Sequence, residues 1–282
     1  ASASTVVHDP VFMAKAIAPV VNVLPEANIW PRLLPKTFES LNGVVTKYQA
    51  NVDAISLLRV LETDQRNPTT RERDTLNRYT GWGGLPHAFV LDDKDQSWSE
   101  RARSLKEMLT AQEYGSASES TLNAHFTPIE VIDAMWEIVR GLGFSGGRVL
   151  EPAAGPGYFI GAMPEDLARK SVVTAIELDQ ISARINQKLY GAYGVATHQC
   201  GFESSMVPDN YFDVVIGNVP FGSYTVNERR NVPYANFSIH NYFLAKSLEV
   251  VRPGGIVAVI TSSHTMDSTS EKVRCYLASH AS

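Results

Sequence analysis

A chain of 282 residues, 44% hydrophobic and 20% charged, can bury one large core or two modest ones, and its net charge of −5 offers a nucleic-acid backbone little general attraction. No apolar run is long enough to span a bilayer, and the opening ASASTVVHDPVF lacks the charged-then-apolar order of a signal peptide, so a cytoplasmic protein without a membrane partner is expected. The two cysteines, Cys200 and Cys275, form neither a metal-ligand spacing nor a disulfide framework, which fits a reducing compartment and a protein without a metal.

Residues 1–110 read as a helical N-terminal module. Val52, Ile55, Leu58 and Leu61 recur at helical spacing, and prolines at 19, 25, 31, 35 and 68 interrupt the pattern. This part is electrically balanced, with 13 Lys+Arg against 13 Asp+Glu, so the whole deficit lies in residues 111–282. Arg66, Arg71, Arg73 and Arg78 alternate with Glu62, Asp64, Glu72 and Asp74, the pattern of a solvated helix face. GWGG, Gly81 to Gly84, reads as a structural turn that wedges Trp82 against the C-terminal domain or, in second place, as part of a substrate path. DDKDQSWSE is a polar turn leading into a helix through Leu105, Met108 and Leu109. The small polar residues of EYGSASESTLNA then suggest a boundary between about 110 and 122.

From residue 111 on, the pattern changes to alternating strands and helices. TPIEVIDAMWEIVRGLG predicts a helix with Thr127 as N-cap, Pro128 at the first helical position and Glu130 three residues after the cap. GRVLEP, VVTAIEL, a strand ending near THQCGFESS, FDVVIGN and GGIVAVITSS predict parallel strands joined by crossover helices: a doubly wound, Rossmann-like α/β sheet. Where the strands end, chemistry gathers. Gly155 and Gly157 in VLEPAAGPGYF permit a tight turn that brings backbone amides close to a ligand, and Glu177 at the end of the next strand stands where such sheets hold a ribose. Together they indicate a nucleoside-containing cofactor. Phe202 and Glu203 fall at the same edge, placed to stack on an adenine and to accept its amine, although Phe202 is equally a core residue by type. In VVIGNVPFG, Pro220 pushes Val219 into an extended conformation, so the Asn218 side-chain oxygen and the Val219 carbonyl converge over a ring that can stack on Phe221. That is a site for a planar molecule with an amino group.

The order HFTP, EPAAGPG, IELD, GFE, GNVPF, RPGG resembles the S-adenosylmethionine-dependent adenine-N6 DNA methyltransferases, whose catalytic motif is Asn/Asp-Pro-Pro-Tyr/Phe. It is most similar to the methylase modules of very large helicase-methylase proteins of phages and conjugative elements, some of them antirestriction factors. YTGWGGLP, LNAHFTP and IGNVPFG carry that likeness, which covers roughly residues 75–282. The resemblance implies S-adenosylmethionine as cofactor, with Phe126, Thr127 and Pro128 over its methionine end. It implies Glu151, Ala153 and Gly155 along it, Glu177 on the ribose, and Phe202 and Glu203 on the adenine. Asn218, Val219, Pro220 and Phe221 become the clamp for a flipped-out target base. Val219 stands where the wider family has proline, which adds an N–H and is expected to loosen the loop. DNA becomes the expected substrate, bound weakly by this chain, with helicase-like domains as partners in a longer polypeptide.

Two other readings share these residues. The same clamp serves RNA bases or protein amides, and an inactive clamp leaves a cofactor-binding or DNA-binding scaffold. The polar stretch Ser223–Phe237 is a candidate lid, with Arg229 and Arg230 as phosphate contacts. His125, His240 and His264 lack the partner spacing of a triad or metal site and read as surface or satisfied core histidines. Only one helix-like segment comes after GGIVAVITSS, so the last strands expected of such a sheet, and any target-recognition domain, are missing from the pattern; the chain is expected to be a fragment.

Overall fold

The computed structural model describes residues 30–92, 94–121, 127–268 and 271–281. Short apolar runs bounded by glycine and polar turns form five strands: β1 (Arg148–Glu151), β2 (Val172–Glu177), β3 (Ala196–Gln199), β4 (Phe212–Asn218) and β5 (Val251–Ile260). All pair in parallel in the order β3-β2-β1-β4-β5, so the expected doubly wound, Rossmann-like sheet is present. The order reverses between β1 and β4, and the loops leaving those two strands part to open a crevice at the carboxyl edge.

Eleven α-helical segments among the described residues surround the sheet. In chain order α1 (Val44–Thr63), α2 (Thr70–Asn77), α3 (Gln96–Met108), α4 (Ala111–Ser120) and α5 (Ile129–Gly141) precede β1. α6 (Tyr158–Ala162) and α7 (Glu165–Ala168) link β1 to β2, α8 (Gln180–Tyr190) links β2 to β3, and α9 (Ile239–Val250) links β4 to β5. α10 (His264–Asp267) and α11 (Lys272–His280) come after β5. None of the described helices is long and apolar enough to cross a membrane.

Alternation along each strand divides the core between the two faces of the sheet. Val149, Val214 and Ile216 join the larger cluster with the N-terminal helices, whereas Leu150 and Val215 join the smaller one beneath α9. The larger cluster is continuous from Leu58 of α1 through Tyr79 and Trp82 to Trp136 of α5, so the helices before β1 share one core with the sheet. Trp82 is buried there, as its turn suggested. Polar links reinforce this docking. The Glu113 carboxylate accepts from Arg59 of α1 and Arg184 of α8, each at 2.6 Å, and Arg184 also grips Glu62. Burial raises the Glu113 carboxyl, but the Thr110 N–H and the two guanidiniums outweigh it and hold the group at about 2.

Three local expectations change. The small polar stretch after residue 110 is helical as far as Ser120, because Thr110 and Glu113 form a capping box and Ala117 packs inward. α5 is capped by Pro128 rather than Thr127, and no side-chain cap is made. β5 pairs Val251 with Phe212 and then Ile256 with Val214, so Arg252 to Gly255 bulge out of the ladder.

Candidate active site

β1, β2 and β4 deliver three loops to one crevice of about 480 Å³, and the turn after β3 closes its side. Gly155 sits in the β1 loop at φ +53, a left-handed conformation, and a Cβ built there meets nothing within 4 Å because that side faces the cavity. Its N–H donates to Glu177 Oε2 at 2.6 Å, while the Asp179 N–H donates to Glu177 Oε1 at 2.7 Å. Glu177 thereby fastens the glycine turn to the end of β2. Gly157 does something else: at φ +95, its Cβ would lie 2.6 Å from Asn186 Nδ2 and from the Tyr190 ring. It is glycine so that α8 can pack against the turn, and it does not line the cavity.

Of the carboxyls that line this crevice, Glu151 and Glu177 are raised together. Glu151, 2% exposed at the end of β1, has an Oε2 without a hydrogen-bond partner among the described residues. Burial, then the neighbouring Glu177 charge, pushes the Glu151 carboxyl well above its usual range, against the Ile160 and Phe159 amides. Glu177 is raised to about 7, first by burial and then by Asp179, with the Asp179, Gly155 and Leu178 amides opposing. Paired acids whose cost is desolvation and mutual repulsion accommodate a ligand bearing positive charge and hydroxyl donors.

At the end of β4, Asn218 Nδ2 donates to Thr127 Oγ1 at 3.1 Å. This explains why Thr127 caps no helix: its buried hydroxyl orients the amide, whose Oδ1 is then the acceptor branch. Val219 N donates to Ile260 O of β5 at 3.2 Å. The N–H that valine brings in place of proline therefore ties the loop to the sheet instead of loosening it. Thr127, Glu151, Ala153, Gly155, Glu177, Phe202, Glu203, Asn218, Val219 and Pro220 all line the crevice. Phe221 is half-buried beside it, packed on the α9-side cluster, and Pro128 opens α5 outside it. Phe126 and His125 lie outside the described residues.

The two loop arginines separate. Arg229 is exposed, whereas Arg230 is gripped by Glu228 at 3.2 Å and Glu249 at 3.1 Å and donates to the Tyr234 hydroxyl at 3.1 Å. Glu228 also accepts from Tyr242 of α9 at 2.5 Å, so Arg230 fastens the loop onto that helix. Sequence reasoning missed two contributors. Ser116, Glu119 and Ser120 of α4 form a wall of the crevice beside Tyr79 to Trp82, whose turn the sequence offered as part of a substrate path, and the Ser116 hydroxyl donates to Asp179 Oδ1 at 3.1 Å. Lys246 of α9, 2% exposed, donates to the Phe202 carbonyl and lies 4.7 Å from that ring's centroid. Burial, more than the nearby Arg230, lowers its ammonium to about 8. A lysine inside the apolar run NYFLAKSLEVV was the available signal.

Residues 101–282 match the model of the Eco57I restriction-modification methylase family. The chain belongs to that family. Methylases of this family use S-adenosylmethionine, and the glycine turn, the Glu151 and Glu177 carboxyls and the Thr127–Asn218 pair fit that cofactor's charge and hydroxyls. The methylase is 30% identical over 225 residues, 79% of its length, to the Defense against restriction protein B of Escherichia phage P1, and spans 8% of that protein. Among solved structures it is similar to the type I restriction-modification methyltransferase subunit from Streptococcus thermophilus, at 12% identity and a TM-score of 0.47, covering 87% of this chain and 75% of that one. A modification subunit of a candidate type I restriction enzyme from Vibrio vulnificus YJ016 is similar at 19% identity and a TM-score of 0.46, covering 73% and 46%.

Proposed function

We propose that the methylase transfers a methyl group to N6 of adenine in DNA, with the target base swung out of the helix and held by Asn218, Val219, Pro220 and Phe221. The observation that carries this reading is the Thr127–Asn218 hydrogen bond, which brings the segment before α5 and the clamp after β4 together at the crevice containing Gly155 and Glu177. Bound S-adenosylmethionine supplies an electrophilic methyl on a sulfonium centre. The chain supplies acceptors. Adenine N6 is a poor nucleophile because its lone pair is delocalised into the ring, and acceptors for both amino hydrogens favour a tetrahedral nitrogen. The Asn218 Oδ1 branch and the Val219 carbonyl take those roles. Phe221 gives the extruded ring a stacking partner, offsetting part of an extrusion cost of about a few kcal/mol. No covalent intermediate is needed; alignment does most of the work. Asp179, Glu177 and Gly155 hold the cofactor side still through the amide contacts already described.

The same reading makes this chain the methylase portion of a larger polypeptide, which the small fraction of the phage relative that it spans supports, and assigns the holding of DNA to a helicase-like remainder. The clamp is tested by Asn218→Ala in the intact protein. Methyl transfer is expected to fall strongly with S-adenosylmethionine affinity near wild type, because the amide acts on the substrate amine. Full methylation activity in that variant would sink the mechanism.

A further inference from the structure

His240 stands in the first turn of α9, 6% exposed, and does not line the crevice. Its Nδ1 lies 3.0 Å from the carbonyl of Gly222, the residue after Phe221, and its Nε2 lies 3.2 Å from Ser238 Oγ. A carbonyl only accepts, so Nδ1 carries the proton and Nε2 accepts from the serine hydroxyl. The network continues in one direction. Asn241 Nδ2 donates to Ser238 Oγ at 2.9 Å, and Thr265 Oγ1 donates to Asn241 Oδ1 at 2.9 Å. Thr261 Oγ1 lies 3.2 Å from Thr265 Oγ1, whose own proton is already given to Asn241, so Thr261 is the donor there. Five side chains thus pass hydrogen bonds from the end of β5 to the end of the clamp. A Cβ at Gly222 would lie 2.5 Å from the Tyr224 ring and 3.5 Å from Ile239 Cγ2, so Tyr224 folds back closely over this glycine. The Ile239 N–H holds the Tyr224 carbonyl at 2.8 Å on the far side of the corner.

We propose that His240 is a positioning residue for methyl transfer: by holding the Gly222 carbonyl it fixes the exit of the Asn218–Phe221 loop against α9 and β5. Val219 is already tied to Ile260, so the loop is pinned at both ends, once by backbone and once by this imidazole. Burial holds the His240 ring below its ordinary range, more than the Gly222 carbonyl raises it, and His264 adds to the lowering, in the direction of the neutral ring that the network requires. The inference rests on the clamp assigned above.

Two variants of the full chain test it, because asparagine places an amide N–H near the Nδ1 position and glutamine places one near Nε2. In nitrogen-15 spectra the wild-type imidazole is expected as a neutral Nδ1–H tautomer. The side-chain amide signals of Asn218 should be wild-type-like in His240→Asn and shifted in His240→Gln, whether or not the chain turns over. In the intact protein, kcat should be largely retained by His240→Asn and fall on the order of 10–100-fold in His240→Gln, with cofactor affinity unchanged in both. An Nε2–H tautomer, or identical Asn218 signals and kcat in wild type and both variants while Asn218→Ala is inactive, overturns the proposal. Loss of function in neither His240 variant nor Asn218→Ala would instead overturn the clamp reading itself.

Discussion

Glu177 carries two tasks at the scale of a single residue: both its oxygens accept backbone amides of the loops that frame the crevice, and the lone pairs left over are where we propose the ribose binds. Glu177→Ala is expected to weaken S-adenosylmethionine binding by about an order of magnitude or more, since a buried charged hydrogen bond is lost. Unchanged affinity by calorimetry would remove that assignment. The carboxyl's pH behaviour gives a second check. Its folded value of about 7 stands above the ordinary 4.5, so its protonated form contributes stability that is complete below about 4.5 and is lost as pH rises through about 7. A cationic ligand with hydroxyl donors needs the carboxylate. Cofactor affinity should therefore weaken by up to about tenfold per pH unit below 7 and level off above it, with a proton released on binding at pH near 6. Calorimetry in two buffers of different ionisation enthalpy measures that proton; a flat profile would contradict the proposed contact. Gly155 was legible as a turn glycine at the carboxyl edge because it comes after a short apolar strand and Glu177 ends the next one; its contact with the cofactor is a proposal. Gly157 was legible as glycine but not for its reason, since the approach of Asn186 and Tyr190 is a tertiary fact.

Among elements, the β4 exit shows how a departure from a motif can be absorbed. Val219→Pro restores the family's residue but deletes the donor to Ile260, so the variant should keep its transfer chemistry while losing about 0.5–1.5 kcal/mol of stability, read as a lower unfolding midpoint in denaturant. Equal or greater stability would show that the bond is idle. The five strands and their order of appearance were readable because apolar runs alternate with helical periods. Two things were not. Thr127 looked like a cap because Thr-Pro-x-Glu is a capping sequence, yet its hydroxyl was taken by an asparagine 91 residues away. α4 looked like a linker because Ser, Gly and Glu dominate it, yet Glu113, meeting arginines from two other helices, and the inward-packed Ala117 make it a packed element. Glu113→Ala leaves those arginines without their shared acceptor and is expected to cost about 1–3 kcal/mol in the same denaturant titration.

For the whole molecule, charge governs the encounter with nucleic acid. Residues 111–282 hold 12 Lys+Arg against 17 Asp+Glu, and several N-terminal arginines are spent internally, Arg59 on Glu113 and Arg66 on Asp64 and Glu72. Arg230, though exposed like Arg229, is likewise committed to Glu228 and Glu249. The 282-residue chain should therefore bind duplex DNA with a Kd on the order of 10⁻⁴–10⁻⁶ M at ~150 mM salt, as non-specific complexes do. Fluorescence anisotropy measures it, and nanomolar sequence-dependent binding would reveal a recognition surface the charge distribution does not suggest. We propose the described part of residues 30–110 as a helical module that completes its fold only against the sheet, in keeping with the shared core; residues 1–29 lie outside the described residues.

That shared core has a consequence for synthesis. Trp30 donates to the Ile160 carbonyl, Glu62 meets Arg184, and the Leu61 carbonyl waits for Lys188, which lies 127 positions further along the chain. Translation runs at about 5–20 residues per second, so α1 stands on the ribosome for roughly 6–25 s before the helix that covers it has been made. Through that interval Leu58, Leu61 and Leu76 have no partner on the far side, and a nascent chain stalled before α8 should be an avid client of holdase chaperones, whereas one stalled after β3 should not.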